Sequence, residues 1–207
     1  MTNLKRRYFN FNSGRQPAKG VARAGFLTRA IGNGIDAWDD LRTPTNTAKK
    51  ITGKEPADTA YKGGIVQAFS DSADNGVGFT VQLPHKYHEG EDIEFHVHII
   101  IPVKGSGAGA ENVKFDLTHS WANQDGVFPA ETPVSETIDV QAEGADIHLY
   151  RLIAVLDGTG KEISSVVICS LTRDTGVANN YANPVYLSEL DFHFPLDAVG
   201  STTQTVK

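Results

Sequence analysis

The sequence predicts an all-β protein: a single antiparallel β-sandwich, or jelly roll, of about eight strands, preceded by an extended basic N-terminal arm. Three observations carry this. From residue 63 onward, stretches of alternating apolar and polar residues recur with no helical period between them. Strong turn sequences separate them, among them Asp74-Asn75-Gly76, Gly105-Ser106-Gly107, Asp125-Gly126, Asp157-Gly158-Thr159-Gly160 and Asn179-Asn180. The charge is also split. The first 35 residues hold Lys5, Arg6, Arg7, Arg15, Lys19, Arg23 and Arg29 and no acid, a formal +7, whereas the rest of the chain carries −13.

The arm comes first. Across residues 1–62 periodicity is weak, and Gly14, Gly20, Gly25, Gly32 and Gly34 interrupt any helix. Each glycine costs about 1 kcal/mol in a helix interior, which leaves room for one short helix near residues 21–30. The segment is read as an arm that becomes ordered on a neighbour, not as a second domain. Seven charges over 35 residues is too sparse for a dedicated polybasic tail, so the expected partner is an acidic protein surface; nucleic acid is not expected, and the acidic body argues against it too. Ordering an arm costs roughly 1–2 kcal/mol per residue. Apolar anchors must offset that cost, and Tyr8, Phe9, Phe11, Phe26, Leu27, Ile31 and Trp38 are the residues available for it.

The body, residues 63–207, reads as strands over 64–69, 78–83, 92–101, 112–122, 136–141, 146–156, 162–173 and 184–196. In the third, Ile93, Phe95, Val97 and Ile99 fall on one face and Glu94, His96 and His98 on the other. In the last, Leu190, Phe192 and Phe194 oppose Glu189, Asp191 and His193. Phe115, Leu117, His119 and Trp121 share a face, and His148 opposes Ile147 and Leu149. With 40% hydrophobic residues the body can build a core without staples. The single cysteine, Cys169, lies in the run Val166-Val167-Ile168-Cys169 and is expected as a buried thiol. No stretch approaches the roughly 18 apolar residues of a membrane span. The basic N-terminus lacks an apolar core of the signal-peptide kind, so assembly in the cytoplasm is expected.

The sharpest chemical signal is His96-x-His98. Two histidines two apart on a strand place both rings on one face about 7 Å apart, a spacing with which cupin-type metal sites begin. The glutamate that should follow is absent, since Pro102 and Val103 stand there. A third ligand would have to come from Asp191 or His193, if the last strand lies beside this one. Otherwise the imidazoles hydrogen-bond carboxylates such as Glu94, Glu189 or Asp191 on a polar sheet face at a subunit contact. That second reading is preferred, with no metal or other cofactor expected and His96, His98 and His193 as the candidates should one bind. His85 and His88 read as a solvated loop. Asp39-Asp40 and Glu91-Asp92 read as solvated surface, because neighbouring residues on an extended chain diverge. No Gly-x-Ser-x-Gly elbow and no Gly-x4-Gly-Lys phosphate loop is present. Trp121 reads as core, and Trp38 as an anchor of the arm.

Three segments together carry a resemblance. They are Trp38-Asp39-Asp40-Leu41-Arg42; the run from Gln82-Leu83-Pro84-His85-Lys86-Tyr87-His88 through Glu89-Gly90-Glu91-Asp92 to Ile93-Glu94-Phe95-His96-Val97-His98; and Leu190-Asp191-Phe192-His193-Phe194 with the trailing Gly200-Ser201. In order and spacing they resemble a family of small structural proteins of tailed-bacteriophage virions, over roughly residues 36–201. The resemblance implies a non-enzymatic virion protein with a jelly-roll body, trimeric, that decorates and cements the capsid or forms the base of a fibre. Its partners would be copies of itself and the major capsid protein or another virion protein, and it brings no catalytic residue. Two rivals stand beside it: a virion-tip module binding host carbohydrate through exposed aromatics and His85–His88, and a cupin-like metal enzyme using His96 and His98.

Overall fold

A computed structural model describes residues 37–107 and 109–197. The basic arm residues Lys5, Arg6, Arg7, Tyr8, Phe9, Phe11, Arg15, Lys19, Arg23, Phe26 and Arg29, and the short helix expected near 21–30, lie outside them. Eleven strands follow in order: β1 (Ala37–Pro44), β2 (Lys49–Lys50), β3 (Ala57–Tyr61), β4 (Gly64–Phe69), β5 (Gly76–Gln82), β6 (Ile93–Ile101), β7 (Asn112–Ala122), β8 (Thr132–Asp139), β9 (Ile147–Leu156), β10 (Val166–Asp174) and β11 (Val185–Leu196). No α-helix occurs among the described residues.

The strands form two antiparallel sheets packed face to face. The first runs β3-β4-β11-β6-β9, and the second β2-β5-β10-β7-β8. On one side of β11, β4 pairs only with residues 185–187, and β1 continues that edge against residues 189–196. The eight strands expected from the sequence are β4 to β11. They give the orders 4-11-6-9 and 5-10-7-8, so that the chain crosses between sheets at nearly every step, which is a jelly roll.

Residues 37–61, assigned to the arm from the sequence, are strands of this sandwich. β1, β2 and β3 add to β11, β5 and β4 respectively. Each is an edge or margin strand that buries little: along β1 only Thr43 is fully buried, and Leu41 packs against the core from a partly buried position. Their apolar alternation is correspondingly faint.

The core is aromatic. Phe79 of the second sheet stacks on Phe95 of the first with ring centroids 5.5 Å apart, and Phe95 meets Phe192 of the neighbouring strand at 5.0 Å. Phe69 and Phe115 close the gap between the sheets edge to face at 6.1 Å. The inward row of β6 (Ile93, Phe95, Val97, Ile99 and Ile101) is wholly buried. Each such side chain contributes about 1.5–3 kcal/mol by leaving water. Trp121 is in the core, its indole N–H donating to Ser165 Oγ at 2.8 Å. Cys169 is buried too, and burial alone pushes its thiol up to about 12.

Two polar plugs hold the loops. Arg173 is fully buried, and among the described residues no carboxylate is bonded to it. Its guanidinium donates instead to the carbonyls of Phe69, Asn183 and Tyr181 and to Asn180 Oδ1. Burial lowers its pKa to about 10, which leaves it cationic at neutral pH. Elsewhere, Tyr87 is fully buried and donates its hydroxyl to the carbonyl of Glu91. Glu89 and Asp92 accept from the backbone N–H groups of Ile163 and Gly158. A Cβ on Gly158 would stand 1.7 Å from the carbonyl oxygen of Glu91, so only glycine fits there. The long 82–92 segment is therefore patterned largely by loop closure.

Candidate functional site

The outward face of the first sheet is where titratable groups gather. Register places Asp40, His193, Glu94 and Val155 in one row across β1, β11, β6 and β9. The next rows are Arg42, Asp191, His96 and Leu152, then Pro44, Glu189, His98 and Tyr150. The condition set by the sequence is met: β11 lies beside β6, and Asp191 and His193 face His96 and Glu94.

Asp191 sits at the centre, only 3% exposed. Its Oδ2 is 3.1 Å from His193 Nε2, and its Oδ1 is 3.4 Å from His98 Nε2. His193 Nε2 also lies 3.1 Å from Asp40 Oδ1, while its Nδ1 is 3.0 Å from Tyr150 Oη. His98 Nδ1 shares a proton with His148 Nε2 at 2.9 Å. His96, 3% exposed, packs against both Tyr150 and His193, with ring centroids 4.4 Å from each, and its Nε2 is 3.6 Å from Glu94 Oε2. Among the described residues, His96 Nδ1 and Asp191 Oδ1 are buried without a hydrogen-bond partner.

The electrostatics follow from this crowding. Burial, then the neighbouring charge of His193, holds the His96 imidazole below its usual range. Burial and the carboxylates Asp191, Glu94 and Asp40 push the Tyr150 phenol up to about 12, so it remains a neutral donor. At the margin, Arg42 grips Glu189 with two N–H groups, Nη2 to Oε2 at 2.6 Å, and this bidentate bond lowers the glutamate's pKa.

All five residues expected as a polar cluster (Glu94, His96, His98, Asp191 and His193) thus meet on one surface. Asp40, Tyr150 and His148 join them. Asp40, expected as solvated surface, does diverge from Asp39, which pairs with Lys86, but it reaches His193. Tyr150 and His148 lie two apart on β9, a same-face spacing that alone does not reveal which strand stands beside them. Trp38 is 49% exposed at the end of β1 on this face, opposite Pro195. Leu152 and Val155, 42% and 52% exposed, border the cluster on β9. His85 lies apart, in the 82–92 loop, its Nε2 3.1 Å from Ser164 Oγ.

No family model and no curated protein matches the chain. Solved structures give partial likenesses. A cycloisomaltooligosaccharide glucanotransferase of Paenibacillus sp. matches 75% of this chain and 18% of its own length at 13% identity and TM-score 0.39. The C-terminal family 22 carbohydrate-binding module of Clostridium thermocellum Xyn10B matches 84% of this chain and 94% of itself at 15% identity and TM-score 0.34. The enzymatically active domain of tailspike protein 4 of bacteriophage CBA120 matches 79% of this chain and 20% of that chain at 11% identity and TM-score 0.34. The chain thus spans less than a fifth of the glucanotransferase. At these identities and TM-scores, neither common descent nor common activity follows.

Proposed function

We propose that this chain is a non-enzymatic structural protein of a tailed-phage virion that associates with copies of itself through the outer face of its first sheet. The observation that supports this is where the three segments carrying the resemblance lie. Segments 38–42 and 190–194 are in the paired strands β1 and β11, and the run 82–98 ends in β6, the next strand across. Loop and strands are tied further: the N–H of His88 donates to the carbonyl of Pro195, Tyr87 bridges to Leu196, and Lys86 pairs with Asp39. Segments far apart in sequence therefore make one continuous surface. Its centre is polar, and Trp38, Leu152 and Val155 stand exposed around it. Exposed apolar side chains around a polar centre suit a protein contact. The basic arm would then reach an acidic neighbour in the shell, such as the major capsid protein.

Light scattering on the purified full chain tests the association. A trimer that Leu152→Asp with Val155→Asp reduces to monomer is the expected result; a wild-type chain that stays monomeric at every concentration overturns it. Deleting residues 1–35 should leave a folded, self-associating body that no longer binds its shell.

One observation favours a second reading, an adsorption module for host saccharide. Tyr150 and Trp38 present exposed rings on a face rich in carboxylates and imidazoles, the combination of stacking and directional polar groups that sugar sites use. This reading requires a saccharide-dependent rise in melting temperature that Tyr150→Ala abolishes.

A further inference from the structure

We propose that Glu94, His96 and His193 bind one divalent transition metal ion of the zinc class, with Asp191 and Asp40 orienting His193 from behind. The inference is independent of how the chain assembles, because every ligand comes from one chain.

The geometry has three parts. First, ligand atoms of Glu94, His96 and His193 all lie within 4.8 Å of one another, and a second group (Asp40, Asp191 and His193) meets the same limit. The two groups share His193, whose ring has two nitrogens. Nε2 is taken up by Asp191 Oδ2 and Asp40 Oδ1, both at 3.1 Å. Ligation through Nδ1 requires the Tyr150 hydroxyl, now 3.0 Å from it, to give way, and leaves Nε2 facing the two carboxylates. A carboxylate behind a histidine is the usual outer partner of a metal-bound imidazole: it fixes the tautomer and raises ligand basicity. Two imidazoles and one carboxylate form a ligand set that zinc accepts, with a fourth position left for water or another donor.

Second, the charge is unbalanced. Asp40, Glu94 and Asp191 contribute three negative charges, and Asp191 is 3% exposed. The nearby Arg42 is already engaged by Glu189. Among the described residues, the ion pairs of Glu94 and Asp191 are with histidines only. A buried carboxylate needs a cation or a full set of donors.

Third, among the described residues His96 Nδ1 is buried with no hydrogen-bond partner, and Asp191 Oδ1, buried likewise, has only His98 Nε2 at 3.4 Å, each in a residue that is 3% exposed. A bound cation compensates both, directly at the imidazole and through the field at the carboxylate.

The full-length chain, stripped with a chelator, is titrated with Zn2+ by calorimetry and with Co2+ by visible absorption. The expected result is one equivalent per chain, with the intense cobalt spectrum of a four-coordinate site. His96→Gln and His193→Gln should each weaken binding by on the order of tenfold or more, and Asp191→Asn by about tenfold through loss of orientation. His85→Gln with His88→Gln should leave affinity unchanged. Glu94→Gln, on a partly exposed position, provides a variant whose metal-free circular dichroism and melting match the wild type while its affinity falls. Absence of saturable uptake by the wild-type chain, or uptake that survives in the His96→Gln/His193→Gln double variant, overturns the proposal.

Discussion

The two outer faces of the sandwich are built on the same scaffold and carry opposite chemistry. Outside the second sheet the polar groups are short and paired: Thr118 Oγ1 with Ser170 Oγ at 2.6 Å, Ser135 with Asp116 at 2.6 Å, and Lys114 with Asp174 at 2.7 Å. Its exposed apolar strand residue, Ile168, stands among hydroxyls. Outside the first sheet, histidines, carboxylates and a tyrosine crowd around a buried aspartate, two buried polar atoms have no hydrogen bond among the described residues, and Trp38, Leu152 and Val155 are exposed. A face whose hydrogen bonds are closed among its own side chains needs nothing from outside. A face that buries charge without a matching cation does.

The largest expected effect breaks the scaffold that both faces share. Arg173→Met leaves the carbonyls of Phe69, Tyr181 and Asn183 without their donor inside the protein. The loss should be about 3–5 kcal/mol in urea unfolding, since each stranded group costs about 1–3 kcal/mol. A loss below about 1 kcal/mol would mean that water replaces the guanidinium freely.

Next in size is the direct contrast between faces. Leu152→Asp with Val155→Asp should weaken self-association by at least about tenfold while leaving monomer stability within about 0.5 kcal/mol. Ile168→Asp, the matching change on the second sheet, should alter neither. Sedimentation of both variants checks this, and equal effects would erase the distinction.

A smaller effect comes from pH. Burial, reinforced by the charge of Lys161, lowers the pKa of His119, which sits in the inward row of β7. The unfolded chain therefore binds this proton more readily than the folded one. Stability from His119 is complete above about pH 6.5 and is lost as pH falls through that value toward the folded-state pKa. His96 is shifted in the same direction. Denaturation midpoints should fall between pH 7 and pH 5, and His119→Gln should flatten that slope; an unchanged slope would assign the dependence to the cluster on the first sheet. Smallest of all, Thr118→Val on the second face should shift stability by no more than about 0.5 kcal/mol by thermal melting.

Much of this architecture is legible in the residues, for reasons that differ strand by strand. β6 and β11 are central strands with one buried face, so Ile93-Phe95-Val97-Ile99 and Leu190-Phe192-Phe194 alternate cleanly and assign Glu94, His96, His98, Asp191 and His193 to the other side. β1 and β3 are marginal strands with little to bury. Asp40 in β1 shows no period that separates it from a solvated arm. The β9 contribution was half visible: alternation puts His148 and Tyr150 on one face, but the pairing with β6 slips by a bulge between Phe95 and His96, and only that register sets Tyr150 beside His98.

By itself, then, the sequence determined the strands β4 to β11, their inward and outward faces, the buried thiol, and the split between a basic beginning and an acidic body. These are local properties, set by side-chain period and turn chemistry along a single strand or loop. Which strands become neighbours is a long-range matter, decided when the two sheets close over Phe79, Phe95 and Phe192. Only that closure lays β11 between β1 and β6, and so brings Asp40, Glu94, His96, Tyr150 and His193 around one buried aspartate.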